Sequence, residues 1–265
     1  SKMTTEAEQF ERISTQIYQN SSKAAKEVAG EIADLIRTRN KAGKKTILGL
    51  ATGSTPLPVY TELVRLHREE NLSFREVVTF NLDEYYGLST DHPESYYQFM
   101  WQRLFSKVDI PKNQVHLPSG TVERSKVYKF CASYEEEIEK LGGLDYQILG
   151  IGRTGHIGFN EPGSKRDSKT RLVSLDTLTR RDAARDFLGE ANVPRYAITM
   201  GVATILKAKR VVLMAWGQAK AEVVQQAVED EPNENLPASL LHGHSDVRFF
   251  IDEPAAAALT CIRVP

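Results

Sequence analysis

His156 and Glu161 stand close together in the glycine-rich stretch Gly150-Ile-Gly-Arg-Thr-Gly-His-Ile-Gly-Phe-Asn-Glu-Pro-Gly163. Imidazole titrates near neutrality, and a neighbouring carboxylate can orient it, so the pair has the chemistry of proton transfer. The glycines around it let backbone come close to a small ligand. The same stretch also reads as a turn whose histidine caps a neighbouring helix. A second candidate is Phe80-Asn-Leu-Asp-Glu-Tyr-Tyr86, where the adjacent carboxylates Asp83 and Glu84 follow an apolar run. One of them can face a crevice while its neighbour turns away, and a partly desolvated aspartate is a competent proton shuttle. Two acidic residues there also read as a helix-start signal. A third candidate, Thr52-Gly53-Ser54-Thr55-Pro56, joins an apolar run to a helical pattern. Free backbone N–H groups at a helix N-terminus, with the Ser54 and Thr55 hydroxyls, suit a phosphate. It is equally an everyday turn, and it lacks both the Gly-Lys-Ser/Thr ending of a nucleotide loop and the Gly-Xaa-Gly-Xaa-Xaa-Gly of a dinucleotide site.

The elements that must hold these residues follow from hydrophobic spacing. Ser21 and Ser22 precede Val28, Ile32, Leu35 and Ile36, the pattern of a capped amphipathic helix stopping near Gly43. Thr46 to Ala51, Val77 to Leu82, Tyr146 to Ile151, Tyr196 to Met200, Val211 to Trp216 and Val247 to Ile251 read as strands. Helices are expected over Pro56 to Glu70, from near Pro93, over about Ser125 to Leu141, over Thr177 to Phe187 and over Gln218 to Val228. Alternation of this kind implies right-handed crossovers and a mostly parallel sheet covered on both faces. The fold class is therefore α/β, a three-layer α/β/α sandwich that is Rossmann-like. In such a sheet ligands sit beyond the carboxyl ends of the strands, where all three candidates fall. Residues 1–20 are read as an N-terminal extension and residues 21–265 as a single domain, with no repeat, low-complexity tract or linker.

Bulk properties exclude several classes. Lys plus Arg total 34 against 35 Asp plus Glu, a formal charge of −1, which gives no basis for nucleic-acid or anionic-membrane partners. A bound anion must then be held locally. No run approaches the ~20 apolar residues of a membrane span, and Ser1-Lys-Met-Thr-Thr lacks the order of a signal peptide. Ser1 and Lys2 precede Met3 as an added pair would. Cys131 and Cys261 show no metal-ligand spacing, so reduced thiols in a cytoplasmic protein are expected. The abrupt finish at Ile262-Arg-Val-Pro265 raises the expectation of a fused C-terminal region in a longer natural chain.

Taken together, Leu50-Ala-Thr-Gly-Ser-Thr-Pro56, Val78-Thr-Phe-Asn-Leu-Asp-Glu-Tyr-Tyr-Gly-Leu88, His92-Pro-Glu-Ser-Tyr-Tyr97, Gly155-His-Ile-Gly-Phe-Asn-Glu-Pro162 and Ile198-Thr-Met-Gly-Val202 closely resemble the glucosamine-6-phosphate deaminase family. The segments occur in the family's order, over roughly residues 20 to 255. The resemblance implies conversion of glucosamine 6-phosphate and water to fructose 6-phosphate and ammonia, with no metal and no organic cofactor. It implies that Asp83 moves a proton between sugar carbons C2 and C1, that His156 is the ring-opening acid/base and that Glu161 supports the histidine. Gly53, Ser54 and Thr55 match the phosphate loop. Arg185 and Lys220 match the basic residues that close on the phosphate, where a planar fork and a point charge complement each other. Leu178 to Asn192 matches a mobile lid, which would shield an enolamine-like intermediate from water.

Two departures stand out. The family usually has Asn-Asp-Gly-His, and this chain has Arg153-Thr154-Gly155-His156. Losing a carboxylate beside the imidazole should lower its pKa and slow ring opening, or shift the load to Glu161. Members activated by N-acetylglucosamine 6-phosphate use a basic cluster at subunit contacts. Ser164 and Arg171 match it, but Val173 stands where a lysine is expected, and the stretch before Ser21 is longer than usual. Allosteric control of that type is therefore not expected, while homo-oligomers occur in the family. Two alternatives remain: a sugar-phosphate sensing domain, which would bind without turnover, and a 6-phosphogluconolactonase-like hydrolase, which shares the phosphate loop but has no need of Asp83. The Asp-Glu-Tyr-Tyr-Gly and His-Pro-Glu-Ser-Tyr segments favour the deaminase.

Overall fold

The computed structural model describes residues 13–260. Cys261 and the segments 1–12 and 261–265, with the readings placed on them, lie outside the described residues. The chain runs β1 (Ser14–Tyr18), α1 (Ser21–Lys41), β2 (Thr46–Leu50), α2 (Leu57–Glu70), β3 (Val77–Asn81), β4 (Asp83–Tyr86), α3 (Tyr96–Arg103), β5 (Val115–His116), α4 (Val127–Lys140) and β6 (Tyr146–Leu149). It continues through β7 (Arg171–Ser174), α5 (Thr177–Ala183), β8 (Tyr196–Thr199), α6 (Val202–Leu206), β9 (Val211–Ala215), α7 (Ala221–Glu229) and β10 (Val247–Asp252).

Seven strands form one parallel sheet in the order β1-β10-β9-β6-β2-β3-β5. β2, β3, β6 and β9 are buried along their whole length, as expected of parallel strands with both faces covered. Each buried Ile, Leu or Val contributes roughly 1.5–3 kcal/mol by leaving water. This is the three-layer α/β/α arrangement. β1 pairs with β10 along Ser14–Tyr18, so a strand inside the segment read as an extension completes the sheet edge.

Several element ends differ from the spacing. α1 is capped by Asn20, whose side chain accepts from the Lys23 N–H at 2.9 Å, rather than by Ser21 or Ser22. α3 begins at Tyr96 because Ser95 caps it, its hydroxyl accepting from the Gln98 N–H. α5 ends at Ala183, not Phe187, since the following turns lead to Leu188 and Gly189, both at positive φ. A short second sheet, β4-β8-β7, is antiparallel.

The order of the large sheet reverses at one place. β2 is flanked by β3 on one side and β6 on the other, so the loops after β2 and β6 leave a crevice between them. Across it, Gly150 lies against Thr55, with 3.8 Å between a Cβ at position 150 and the Thr55 Cβ. Only Leu82 separates β3 from β4, and it joins both sheets: its N–H donates to the Leu50 carbonyl at 2.9 Å and its carbonyl accepts from Met200 at 2.7 Å. Asp83 therefore emerges where the two sheets meet.

Candidate active site

A cleft of about 470 Å³ opens over this switch point. Its walls carry Thr52 and Thr55 from the β2 loop, Asp83 from β4, His156 and Arg153 from the β6 loop, Asp182 from α5 and Lys220 from the turn after β9. Tyr96 closes one side.

The carboxylates at the β3–β4 junction take opposite directions because successive strand residues alternate. Asp83 faces the cleft, and burial together with the charge of Glu84 pushes its pKa up to about 8. Glu84 points away. Its carboxylate accepts the N–H groups of Tyr85, Tyr96 and Tyr97 at 2.9 to 3.0 Å. Burial raises it to about 7 against the pull of those three donors. Both readings of the pair are thus realised, one by each residue: Asp83 is presented to the cleft and Glu84 secures a helix start, that of α3.

The β6 loop is shaped around His156. A Cβ on Gly152 would fall 1.9 Å from the imidazole Cε1, so only glycine leaves room for the ring. Gly155, at φ +82, turns the chain just before the histidine, and its carbonyl accepts from Ala238 at 2.9 Å. Beyond the ring, Asn160 donates to the Ile157 and Met200 carbonyls, which fixes the loop against the end of β8. His156 Nδ1 faces the Thr154 hydroxyl at 3.3 Å. Burial, then the Lys220 charge, lowers the histidine pKa, while Asp176 and Asp182 oppose the shift.

Glu161 stands one layer behind the cleft. Its carboxylate receives the Thr179 hydroxyl and the Asp176 N–H, so it anchors the start of α5 to the β6 loop. Burial raises its pKa, with the Thr179 hydrogen bond opposing. It makes no hydrogen bond to His156, so the direct support implied by the resemblance is absent in this structure.

In the loop after β2, the N–H groups of Thr52, Gly53, Ser54 and Thr55 find no acceptor in the described protein, and Gly53 and Ser54 are exposed. Free amides before a helix are an anion cradle. The Lys220 ammonium reaches the Ile151 carbonyl at 2.6 Å, and burial lowers its pKa. Asp252 accepts from the Gly217 N–H at 3.0 Å, which sets the turn carrying Lys220, and the Trp216 indole donates to the Thr55 carbonyl at 2.9 Å. Arg185 is exposed in the turns after α5 and does not line the cleft. Its segment is pinned by Phe187, which packs edge-on to Tyr85 with ring centroids 5.3 Å apart. Ser164, Arg171 and Val173 line a separate hollow of about 370 Å³ that Glu161 also borders.

Of the residues that the resemblance brings together, Asp83, His156, Thr55 and Lys220 line the cleft, while Gly53, Ser54, Glu161 and Arg185 do not. Tyr96 and Arg153 stood in the quoted segments without a role at the site, and Thr179 and Asp182 are ordinary helix residues in sequence that reach it only through the fold. Among the described residues no three His, Cys, Asp or Glu side chains are grouped to hold a metal, and no helix is long and apolar enough to cross a membrane.

Comparison with known proteins shows the family of the chain. Residues 19–249 match the family of glucosamine-6-phosphate isomerases and 6-phosphogluconolactonases. A glucosamine-6-phosphate deaminase of a Geobacillus species is 47% identical over 229 residues, covering 86% of this chain and 90% of the relative. A putative glucosamine-6-phosphate deaminase-like protein of Bacteroides thetaiotaomicron is 43% identical over 256 residues, and there the match covers 97% of this chain but only 39% of the relative. A solved monomeric glucosamine-6-phosphate deaminase superposes with a TM-score of 0.88 at 42% identity, covering 93% of this chain and 100% of that one. The 6-phosphogluconolactonase of Trypanosoma brucei shares the fold, with a TM-score of 0.75 at 21% identity over 94% of this chain and 99% of that one. The chain therefore belongs to the glucosamine-6-phosphate isomerase/6-phosphogluconolactonase family.

Proposed function

We propose that this protein is a glucosamine-6-phosphate deaminase, converting glucosamine 6-phosphate and water to fructose 6-phosphate and ammonia. The observation that carries the reading is Asp83, a buried carboxylate at the cleft wall, in one cavity with His156 and Lys220. A sensor domain or a lactone hydrolase has no use for a desolvated carboxylate there. The 6-phosphogluconolactonases resemble the chain at the level of fold.

The sugar phosphate enters tail first. The free amides of residues 52–55, the Ser54 and Thr55 hydroxyls and Lys220 receive the phosphate, and Arg185 joins them when the segment after α5 closes. His156, held neutral by burial and by Lys220, takes the O1 proton of the cyclic sugar and delivers one to O5, which breaks the C1–O5 bond. Asp83 must be ionised to act next. A cationic amino group at C2 lowers its pKa by opposite charge, so the substrate itself readies the base. Asp83 then removes the C2 proton and returns it to C1. A proton of the C2 ammonium passes to O1 as the C1 carbonyl becomes a hydroxyl, and the resulting C2 iminium adds water and releases ammonia, leaving the ketose. Both proton positions lie on one face of the chain of carbons, within reach of a single carboxylate. A cytoplasmic site of action fits a phosphorylated amino sugar as substrate.

The test sets glucosamine 6-phosphate and 6-phosphogluconolactone side by side, reading ammonia, fructose 6-phosphate and lactone loss. Ammonia and fructose 6-phosphate in equal amounts support the reading. Saturable binding without product, or turnover of the lactone alone, overturns it.

A further inference from the structure

Position 154 carries a hydroxyl where the resemblance leads one to expect a carboxylate beside the histidine, yet negative charge still reaches His156 from another direction. Asp182 on α5 lines the same cleft, and its Oδ1 accepts from Arg153 at 2.9 Å, which docks α5 onto the histidine's loop. Asp176, the N-cap of that helix, accepts the Thr179 N–H at 2.8 Å, and its own N–H donates to Glu161 Oε2. The start and end of α5 are thus both fastened to the β6 loop, with a carboxylate at each point. We propose that Asp176 and Asp182 together replace the carboxylate that position 154 lacks, so that the charge beside His156 is delivered by α5 rather than by the histidine's own loop.

Several groups face the imidazole. From its own loop come Thr154 and Arg153, from the turn after β9 comes Lys220, from α5 and its cap come Asp176 and Asp182, and Asp83 shares the cleft. Lys220 opposes protonation, while Asp176 and Asp182 favour it. Arg153 partly neutralises Asp182 through their ion pair. The two carboxylates favour the imidazolium that forms when His156 takes the O1 proton, so the basicity of the ring depends on α5 keeping its place against the β6 loop.

This inference rests on the deaminase reading for its meaning but not for its measurement. The midpoint of His156 is read by NMR in the purified protein, with His156→Gln used to assign the signal, whether or not ammonia is released. Asp182→Asn and Asp176→Asn should each lower the midpoint by about 0.2 to 0.7 pH units, the scale of partly exposed charge pairs. Asparagine is as good an N-cap as aspartate, so the second change leaves the helix start intact. The double variant should show the larger shift, and Thr154→Asp in that background should restore the midpoint. Arg153→Gln should move it upward, the opposite sign, which simple loosening of the α5 contact would not do. A double variant that titrates as the wild type does, or an Arg153→Gln midpoint that falls, would overturn the proposal. Absence of ammonia from the wild-type protein would instead count against the deaminase reading alone.

Discussion

The Lys220 ammonium donates to the carbonyl of Ile151 at 2.6 Å, so this cation is tied to the loop that presents His156. A phosphate arriving between Lys220 and the β2 loop meets a donor already aimed across the crevice. Under the proposed function, grip on the phosphate and placement of the reacting end are then coupled through this contact, and the Trp216 indole holds the β2 loop by its hydrogen bond to the Thr55 carbonyl.

Lys220→Met should raise KM for glucosamine 6-phosphate by roughly 10- to 100-fold, the loss of one charge-assisted hydrogen bond to phosphate. The fall in kcat should be smaller. Steady-state kinetics check the split, and an unchanged KM would remove Lys220 from the phosphate site.

Asp83 should carry a stability cost that its function requires. Its folded pKa, about 8, lies above the ordinary 3.8, so the folded state holds the extra proton. The stabilisation is fully present below the unfolded value and is lost as pH rises through about 8. Asp83→Asn should therefore raise the melting temperature at pH 8.5 and change it much less near pH 5. Thermal melts across that range check the sign. Equal shifts at both ends would show that the carboxyl is not held protonated.

Gly152→Ala should displace His156, because the new methyl carbon would meet the ring at 1.9 Å. Activity should fall at least tenfold, by analogy with the loss of a positioned acid/base. The melting temperature should move little, since the ring can rotate into the cleft. Kinetics and thermal melts on the same sample separate the two effects.

Glu84→Ala should destabilise the fold by about 2–4 kcal/mol, leaving the N–H groups of Tyr85, Tyr96 and Tyr97 without their shared acceptor. Denaturant unfolding measures this. Glu84→Gln keeps one acceptor oxygen and should recover part of the loss.

Much of the fold was legible because parallel strands buried on both faces read as continuous apolar runs, as Thr46 to Leu50 and Val211 to Ala215 do. β4 and β7 were not legible. Each is four residues long, and β4 reads Asp-Glu-Tyr-Tyr, whose order comes from pairing with β8 and not from its own propensity. β1 escaped because a half-exposed edge strand of Ser-Thr-Gln-Ile-Tyr carries little hydrophobic signal. Within the site, His156 announced itself by chemical type and by the glycines beside it, and Asp83 as one of two adjacent carboxylates at the end of an apolar run. Asp182 could not, since an aspartate on an exposed helix is unremarkable until the fold turns it toward Arg153. Glu161 was legible as a member of the loop, but its partner is Thr179 because α5 approaches from a direction that sequence spacing does not contain.

The central claim is that the Asp83 carboxylate alone carries hydrogen from C2 to C1. It is tested most directly with glucosamine 6-phosphate deuterated at C2, following ammonia release and the label in fructose 6-phosphate for the wild type and Asp83→Asn. Part of the deuterium should appear at C1 with the wild type. Asp83→Asn should bind the sugar phosphate yet lose roughly 10²- to 10⁴-fold in turnover and leave the C2 label in place. Loss of the C2 label by Asp83→Asn at the wild-type rate would contradict the account.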